Sequence, residues 1–501
     1  MKAAVSMSPS LSLLVQHRLV EKIVERYGDP SDIRHRVREG ESALLDSIAR
    51  DVDALYPGVI AELLMDPTGP EKAVLRDASG QTLFSQRVKA GVIEAVYGEP
   101  LSPPLLILPE PGGSIQPRAN PFPGPVHAVC FEYLPNFANE LYPLLVDAYI
   151  HDLSRPDPKR TPAVGVHVSW LEDEWRAARA IFYRPRDNEL IETPLAPPVD
   201  IASVQFLAVS PACHQHYSER FSHLNIPQLN PYSEARRTDD KYACFLEWKK
   251  NGVPTPEAVL IPQSDARNLL IARQRIEAAF PVLFGAAPQD EIIVMVQPNR
   301  GTEGRGTKAF RGPASWPGMA VRHPDLLEHV RQIAAGDDVL LRRGVGNLLV
   351  HDAIYRKNVC FDIRLNVAAG RVESGFWMAA APGAVVSSPS AGGRIIEWKH
   401  PPRPPGDVTG PEGGLTWDAE TWRIIERAAE AAAACFPECR LVGVDARLEW
   451  TGGRVIPWIL DINPRPAGLS HSRYFATGEP GVTQRLWQDL HNLRKRSGEG
   501  T

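Results

Sequence analysis

Several features that would assign the protein to a class at once are missing from its sequence. No apolar run approaches the roughly eighteen residues that a membrane-spanning helix requires. The apolar run Leu11–Val15 is too short for a secretory signal and is followed by no cleavage pattern. The six cysteines include no Cys-x-x-Cys pair, so we expect reduced thiols in a cytoplasmic protein.

An excess of charge of one sign is also missing. The 501 residues carry a net charge of −5, whereas a general nucleic-acid binder needs a basic surface, so we expect no nucleic-acid partner and no membrane partner. Two familiar nucleotide fingerprints are absent, since no Gly-x-Gly-x-x-Gly follows a predicted strand and no glycine loop ends in Gly-Lys-Ser/Thr. A hydrophobic fraction of 43% is ordinary for a globular protein, and the length indicates about two to four domains.

The order of predicted elements divides the chain into five parts. These are a helical and mixed N-terminal region at 1–98, a proline-rich connection at 99–125, an α/β module at 126–238, a main domain at 239–480, and a C-terminal helix and tail at 481–501. Within the first part, Leu44–Leu64 has the apolar spacing of a helix.

The module at 126–238 alternates predicted strands with predicted helices. Val126–Phe131 and Ser203–Val209 are predicted strands, while Glu172–Arg179 and Ala212–His223 are predicted helices. This alternation favours a parallel sheet with helical crossovers. We expect the module to bind substrate or to contribute to a homodimer, and residues 1–98 to form a substrate cap or a dimer contact.

The most informative segment lies near the C-terminus, where Thr451-Gly-Gly separates two apolar runs. Glycine supplies the positive φ of a tight turn, so the segment predicts a β-hairpin. When the chain is folded about Gly452, Asp445 is expected opposite Ile459 or Leu460, beside Asp461.

Alternation along the second strand of this hairpin places Asp461 and Asn463 on one face. Together with Asp445 they offer two carboxylates and an amide oxygen, which suit Mg²⁺ carrying nucleotide phosphates. The alternative is that Asp461 and Asn463 merely end a strand. An acid buried within an apolar run must be paired with a cation or bound to a metal ion, and this argues against that alternative.

A glycine-rich loop and an alternating strand are further candidates. Gly301, Gly304 and Gly306 follow a predicted strand and could bring backbone N–H groups to an anion, although an ordinary flexible loop has the same composition. Arg364 lies in the alternating segment Phe361–Val367, where it could bind a phosphoryl oxygen or simply pair with an acid on a half-exposed strand.

Taken in order, these motifs resemble the ATP-grasp superfamily over about residues 203–480. The resemblance comprises Asp-Lys before a helix, a Gly-Val-Pro-Thr-Pro stop, Pro-Asn-x-Gly with a glycine loop, Asp-x-Arg, a Gly-Gly loop, Gly-Val-Asp and Asp-x-Asn-Pro-Arg-Pro. Within this superfamily, the chain resembles natural-product peptide ligases of the pheganomycin type.

The resemblance implies both a fold and an activity. The fold is α/β, with two α+β lobes at 239–480 that hold ATP between them, preceded by a Rossmann-like parallel domain at 126–238. The activity is that of an ATP-dependent carboxylate–amine ligase, which forms an amide or peptide bond through an acyl phosphate and releases ADP and phosphate. The implied substrates are small carboxylates and amines, namely amino acids or peptides.

The resemblance also assigns roles to individual residues. Asp445, Asp461 and Asn463 match the Mg²⁺ ligands, and Arg364 and Arg465 match the catalytic arginines at the γ-phosphate and acyl-phosphate end. The nucleotide-binding positions are Lys241, Gln297, Arg300, Gly301, Gly304, Gly306 and Thr307, with the adenine-reading hinge at Leu341, Arg342, Arg343 and Gly344.

Two departures from the family pattern leave alternatives open. Gln297 stands where a lysine is usual, so either Arg300 or Lys308 substitutes for that charge or nucleotide affinity is reduced. The hinge has Arg342-Arg343 where Gln-Glu is usual, which leaves ribose recognition by a carboxylate in doubt. A small-molecule kinase and a non-catalytic nucleotide-binding relative are the competing functions. Near the hairpin, a second carboxylate could be bound by basic residues that could equally be structural counter-charges to the acids, namely Arg447, Arg465, His471 and Arg473.

Overall fold

The computed structural model describes two compact units, Met1–Ile226 and Pro227–Thr501. The described residues are 59–64, 72–77, 82–87, 118–122, 124–131, 145, 162–184, 189–207, 209–224, 226–285, 291–301, 304, 306–313, 324–352, 355–388, 393–397, 407–411, 413–414 and 417–466. Among them, no helix has both the length and the hydropathy needed to cross a membrane.

The first unit contains two sheets. One is antiparallel and consists of β1 (Val59–Leu64), β2 (Lys72–Asp77) and β3 (Thr82–Arg87). The other contains β4 (Arg118–Ala119), β5 (Val126–Phe131), β6 (Ala163–His167), β7 (Leu171–Glu172), β8 (Arg176–Arg184) and β9 (Glu189–Phe206), and it is followed by helix α1 (Pro211–Arg220). In this second sheet β5 runs parallel to β6 and β9, whereas β8 is antiparallel to both β6 and β9. The sheet is therefore mixed: β4, β5, β6 and β9 have the expected parallel arrangement, and β8 does not.

Two predicted helices in this unit are wrong. Val59–Leu64, expected within a helical run, is a strand, because a short apolar run fits either structure. Glu172–Arg179 forms a turn and the start of β8, with Arg176 paired to Asp200. Its Glu, Ala and Arg residues favour a helix, but Trp175 is fully buried and the pairing with β9 overrides that preference.

The second unit begins with a small lobe built on four antiparallel strands in the order β11-β14-β12-β13. After β10 (Gln228–Leu229), the elements are α2 (Tyr232–Thr238), α3 (Lys241–Lys250), β11 (Ala258–Ile261), α4 (Gln263–Ala266), α5 (Leu269–Phe284), β12 (Glu291–Pro298), β13 (Lys308–Pro313), α6 (Pro324–Ile333) and β14 (Val339–Arg343). One face of the sheet packs against α5 and α6 through residues such as Ile276, Val294 and Leu326.

The larger lobe is an eight-stranded sheet covered by one long helix. Its elements are β15 (Leu349–Asp352), β16 (Lys357–Ala368), β17 (Arg371–Ala379), β18 (Arg394–Glu397), β19 (Val408–Gly410), β20 (Gly413–Gly414), α7 (Ala419–Ala434), β21 (Leu441–Thr451) and β22 (Arg454–Asn463). Helix α7 buries Ile425, Ala429 and Ala432 against the sheet, at the spacing of one helix face.

The strand order brings the predicted site residues together. β16 pairs with β17 and β21, and β21 pairs in turn with β22. Arg364 on β16, Asp445 on β21 and Asp461 on β22 therefore lie side by side. In β16, Ile363, Leu365 and Val367 enter the core of the larger lobe. The alternate residues, among them Arg364, therefore lie on the opposite face.

Candidate functional site

The two acids of the C-terminal hairpin lie directly opposite each other. Asp445 on β21 pairs with Asp461 on β22, whereas the sequence predicts Ile459 or Leu460 at that position. The register shifts between Asp445 and Ala446, because β22 contains one extra residue there. The turn itself is as expected, with positive φ at Gly452 and Gly453.

Arg364 holds the first of these acids. It lies opposite Asp445 across β16 and β21, and its Nη2 donates to Asp445 Oδ2 at 2.7 Å while its Nε donates to Oδ1. Both side chains are 14% exposed. Burial alone would lower the pKa of Arg364, but the charge and hydrogen bonds of Asp445 raise it above the ordinary arginine value. Arg364 therefore remains a cation inside the site.

Lys241 holds the second acid, with its Nζ 2.7 Å from Asp461 Oδ2. Lys241 is the first residue of α3, and Asn299 fixes the start of this helix. The carbonyl of Asn299 accepts from the Lys241 amide at 3.1 Å, and its side-chain oxygen accepts from the Tyr242 amide at 2.9 Å.

Sequence reasoning gave no role to Asn299. Its Nδ2 also donates to Asp240 Oδ1 at 3.0 Å, and Asp240 is the N-cap of α3. A buried asparagine directly after an apolar strand is the signal that could have identified it.

Asn463 completes the predicted ligand set. Its Nδ2 lies 3.4 Å from both Asp445 Oδ2 and the Gly443 carbonyl. No group of three or more His, Cys, Asp or Glu residues with metal-site geometry occurs in the described part of the chain. Two carboxylates and one amide nevertheless fit Mg²⁺, which takes few protein ligands and completes its shell with water and phosphate oxygens.

Two other arginines have carboxylate partners. Arg465, predicted to be catalytic, donates from Nη2 to Asp239 Oδ1, and both side chains are largely buried. Arg447 donates from Nε and Nη2 to the two carboxylate oxygens of Asp362, at 2.6 and 2.8 Å. Arg447 also donates to the Val385 carbonyl, so of its two predicted roles the structure shows that of a counter-charge.

Of the alternative interpretation of the Arg364 strand, the pairing of Arg364 with an acid is observed, whereas the half-exposed face is wrong. Asp362 and Asn366, which alternate with the core residues, are buried. The Ser387 hydroxyl donates to Asp362 Oδ2, which ties this strand to the Ser387–Gly393 segment.

The glycine loop turns at the expected residues. Gly304 and Gly306 have φ of 69° and 71°, and the Thr307 amide donates to the Gly304 carbonyl at 3.0 Å. A Cβ on Gly304 would lie 3.0 Å from Ser388 Cβ, so the loop touches the Ser387–Gly393 segment. His329 Nε2 lies 2.8 Å from the Gly306 carbonyl and therefore donates to it. Residues 302, 303 and 305 lie outside the described part.

The remaining predicted nucleotide contacts lie on the small-lobe sheet. Gln297 on β12 pairs with Leu340, and the Arg300 amide donates to Asp337 Oδ2 at 2.7 Å. In the hinge, the amides of Arg343 and Gly344 donate to the carbonyls of Glu257 and Ile293. Those two donors are therefore already used within the protein. Gly301 is half-buried, and Leu341 belongs to the small-lobe core.

Comparison with known proteins gives matches among solved structures only. No protein-family model matches the chain, and no curated protein sequence matches it. The chain is similar in structure to D-cycloserine synthetase DcsG, with 17% identity over 73% of this chain and 99% of that one and a TM-score of 0.44. It is similar to VanG D-Ala:D-Ser ligase from Enterococcus faecalis, with 13% identity over 74% and 99% and a TM-score of 0.45. The ATP-grasp ligase PsnB, complexed with its minimal precursor, is similar at 10% identity over 74% and 99%, with a TM-score of 0.38.

Proposed function

We propose that the chain is an ATP-dependent carboxylate–amine ligase of the ATP-grasp type. The observation that supports this most directly is the pairing of Asp445 with Asp461 across one hairpin, with Asn463 beside them. Buried acids at adjacent positions are costly unless cations balance them, and here Arg364 and Lys241 lie in contact with them. Two acids and two cations at one point suit a site that binds a metal ion together with phosphate.

The proposed ligands of Mg²⁺ are Asp445, Asp461 and Asn463. When bound with nucleotide, the ion supplies positive charge to the phosphate oxygens. Lys241 would donate to phosphate oxygens as its pair with Asp461 loosens. The fixed guanidinium of Arg364 would stabilise charge on the transferring phosphoryl group without having to reorganise.

The expected reaction joins an acid to an amine. The acid's carboxylate oxygen attacks the γ-phosphorus of ATP, which gives an acyl phosphate and ADP. The amine nitrogen then attacks the acyl carbon, and phosphate leaves as the amide forms. The substrates we propose are amino acids or peptides. Where Gly304 lies against Ser388, the two residues would help to exclude water from the acyl phosphate.

A screen for ADP release, with carboxylic acids crossed against amines, tests this function. We expect ADP above background for at least one pair, with a product whose mass equals acid plus amine minus water. A stable phosphorylated product would instead identify a kinase. Absence of nucleotide binding and of ADP release for every pair would contradict both enzymatic functions.

Asp461→Asn tests the assignment of Asp461 as a metal ligand. Replacement by asparagine keeps the shape of the side chain but removes the charge, so we expect ADP formation to fall by about a hundredfold or more. The control is Glu438→Gln, the same chemical change at an exposed position. Unchanged ADP formation in Asp461→Asn, with the fold intact by circular dichroism, would refute the metal assignment.

A further inference from the structure

The small-lobe sheet lacks a cation at the position of Gln297, and neither predicted substitute faces that position. Arg300 is 64% exposed, and its Nη2 lies 3.6 Å from Asp240 Oδ2. Lys308 pairs with Val296, whose side chain enters the small-lobe core. Because side chains alternate along a strand, Lys308 lies on the face opposite to that of Gln297.

Arg342 lies on the same face as Gln297. It pairs with Met295 across β12 and β14, while Gln297 pairs with Leu340, two residues before Arg342. Residues 295 and 297 share one face of β12, and residues 340 and 342 share the same face of β14. Arg342 therefore supplies a cation on the same face of the sheet as Gln297, on the neighbouring strand and two residues beyond the pairing partner of Gln297.

The guanidinium of Arg342 is buried, and the edge formed by its Nε and Nη2 is unpaired among the described residues. Arg342 is 4% exposed, and its Nη1 donates to the Leu460 carbonyl. Its Nε and Nη2 have no hydrogen-bond partner among the residues that the structure describes. Burial lowers the pKa of Arg342 from the usual arginine value, and the nearby charge of Asp461 acts in the opposite direction. Buried charged donors left unpaired are strongly unfavourable.

The edge formed by Nε and Nη2 has a specific chemistry in this protein. In the larger lobe, Arg364 and Arg447 each present this same edge to both oxygens of a carboxylate. In Arg342 the corresponding edge has no such anion. A planar pair of donors of this kind matches two oxygens of a carboxylate or a phosphate.

We propose that Arg342 binds phosphate oxygens of the nucleotide through its Nε and Nη2, and so supplies the positive charge that Gln297 lacks. This inference rests on the proposed function, since it requires a nucleotide in the same site. Its surroundings are consistent with a phosphate ligand, because the charge of Asp461 acts on Arg342 and Asp461 in turn contacts Lys241.

Calorimetric titrations with ADP and with adenosine test the proposal on the full chain. We expect Arg342→Met to weaken ADP binding by at least about tenfold and to leave adenosine binding unchanged. In the double variant Arg342→Met/Gln297→Lys, a lysine at position 297 restores most of the ADP affinity. The control is Arg311→Met, which removes an exposed arginine from the same sheet and leaves both affinities unchanged.

Gln297→Lys alone provides a test that does not depend on the folding of an Arg342 variant. If Arg342 already supplies the positive charge that contacts the phosphate, the added lysine changes ADP affinity by less than about threefold. A gain of tenfold or more would mean that the cation is missing, and would overturn the proposal.

Other results separate this inference from the proposed function. Equal losses of ADP and adenosine binding in Arg342→Met would show a structural role and overturn it, as would unchanged ADP binding. If Arg342→Met weakens the binding of a carboxylate substrate and leaves ADP binding intact, Nε and Nη2 of Arg342 bind that substrate instead of phosphate, and the proposal is overturned. If the wild-type chain binds no ADP at all, the proposed function itself fails.

Discussion

Gly443 makes room for the pair formed by Arg364 and Asp445. A Cβ at position 443 would lie 2.8 Å from Arg364 Cδ and 3.1 Å from Pro466 Cβ. The arginine has little freedom to move away, because both of its donors on that edge bind the two oxygens of Asp445. A side chain at this position is therefore expected to displace the guanidinium.

We predict that Gly443→Ala lowers both stability and activity. Overpacking of a filled interior costs about 1–3 kcal/mol, which urea denaturation would detect as a lower midpoint. ADP formation falls as well if Arg364 acts on the phosphoryl group. Gly336→Ala is the control, since a Cβ at position 336 meets nothing within 4 Å. Wild-type stability in Gly443→Ala would contradict the close contact.

Sequence reasoning at the level of residues identified the ionic groups but not their partners. Asp445, Asp461, Arg364 and Lys241 all come from local motifs. Their pairing depends on one extra residue in β22 and on the contact between α3 and β22, and neither is visible in a strand pattern. For the same reason the sequence could not decide whether Arg447 binds a ligand or pairs with an acid of the protein, because Asp362 lies 85 residues away.

At the scale of elements, α6 supports the glycine loop through one histidine. His329 is buried, and burial lowers its pKa from the usual 6.5. The imidazole is therefore neutral at pH 7, with the proton on Nε2 that the Gly306 carbonyl accepts. As the pH falls below about 6.5, the unfolded chain takes up a proton before the folded chain does. This contribution to stability is present above that pH and is lost as the pH falls through the lowered folded pKa.

His329→Gln tests this dependence. Glutamine keeps a donor for Gly306 and does not titrate, so the variant lacks the loss of stability in acid that His329 causes. We predict that the free energy of unfolding of wild type relative to the variant decreases between about pH 7 and about pH 5. Denaturant titrations at each pH measure it. A difference that stays constant with pH would show that His329 does not titrate as described.

Long periodic elements were predictable, whereas short strands were not. The amphipathic spacing in Ala419–Ala434 and the alternation in β16 identify these elements directly. Strands of two to four residues, such as β18, β19 and β20, contain too few residues to show a period. Glu172–Arg179 was misassigned because its residues favour a helix locally while its partners lie in β9.

At the scale of the whole molecule, the site depends on residues from both lobes of the second unit. Lys241 belongs to a helix beside the small-lobe sheet, and Asp461 belongs to the large sheet. A nucleotide bound there would contact both lobes and would favour the folded state by mass action.

We predict that ATP with Mg²⁺ raises the melting temperature of the full chain. At a free concentration about 100 times Kd, the linkage corresponds to about 2.7 kcal/mol of added stability. Differential scanning calorimetry measures the shift, and omission of Mg²⁺ reduces it. A shift of equal size with adenosine would contradict the role of phosphate contacts in binding.

The bulge at Leu460 in β22 decides on which side of the sheet the second acid lies. In an uninterrupted ladder Asp445 would face Leu460, and Asp461 would face Val444, a residue of the apolar core. The bulge takes Leu460 out of the alternation just before Asp461, so the carboxylate of Asp461 emerges beside that of Asp445. Deletion of Leu460 would therefore leave the two acids opposite each other in a regular ladder, with Ile462 still facing Val444 in the core.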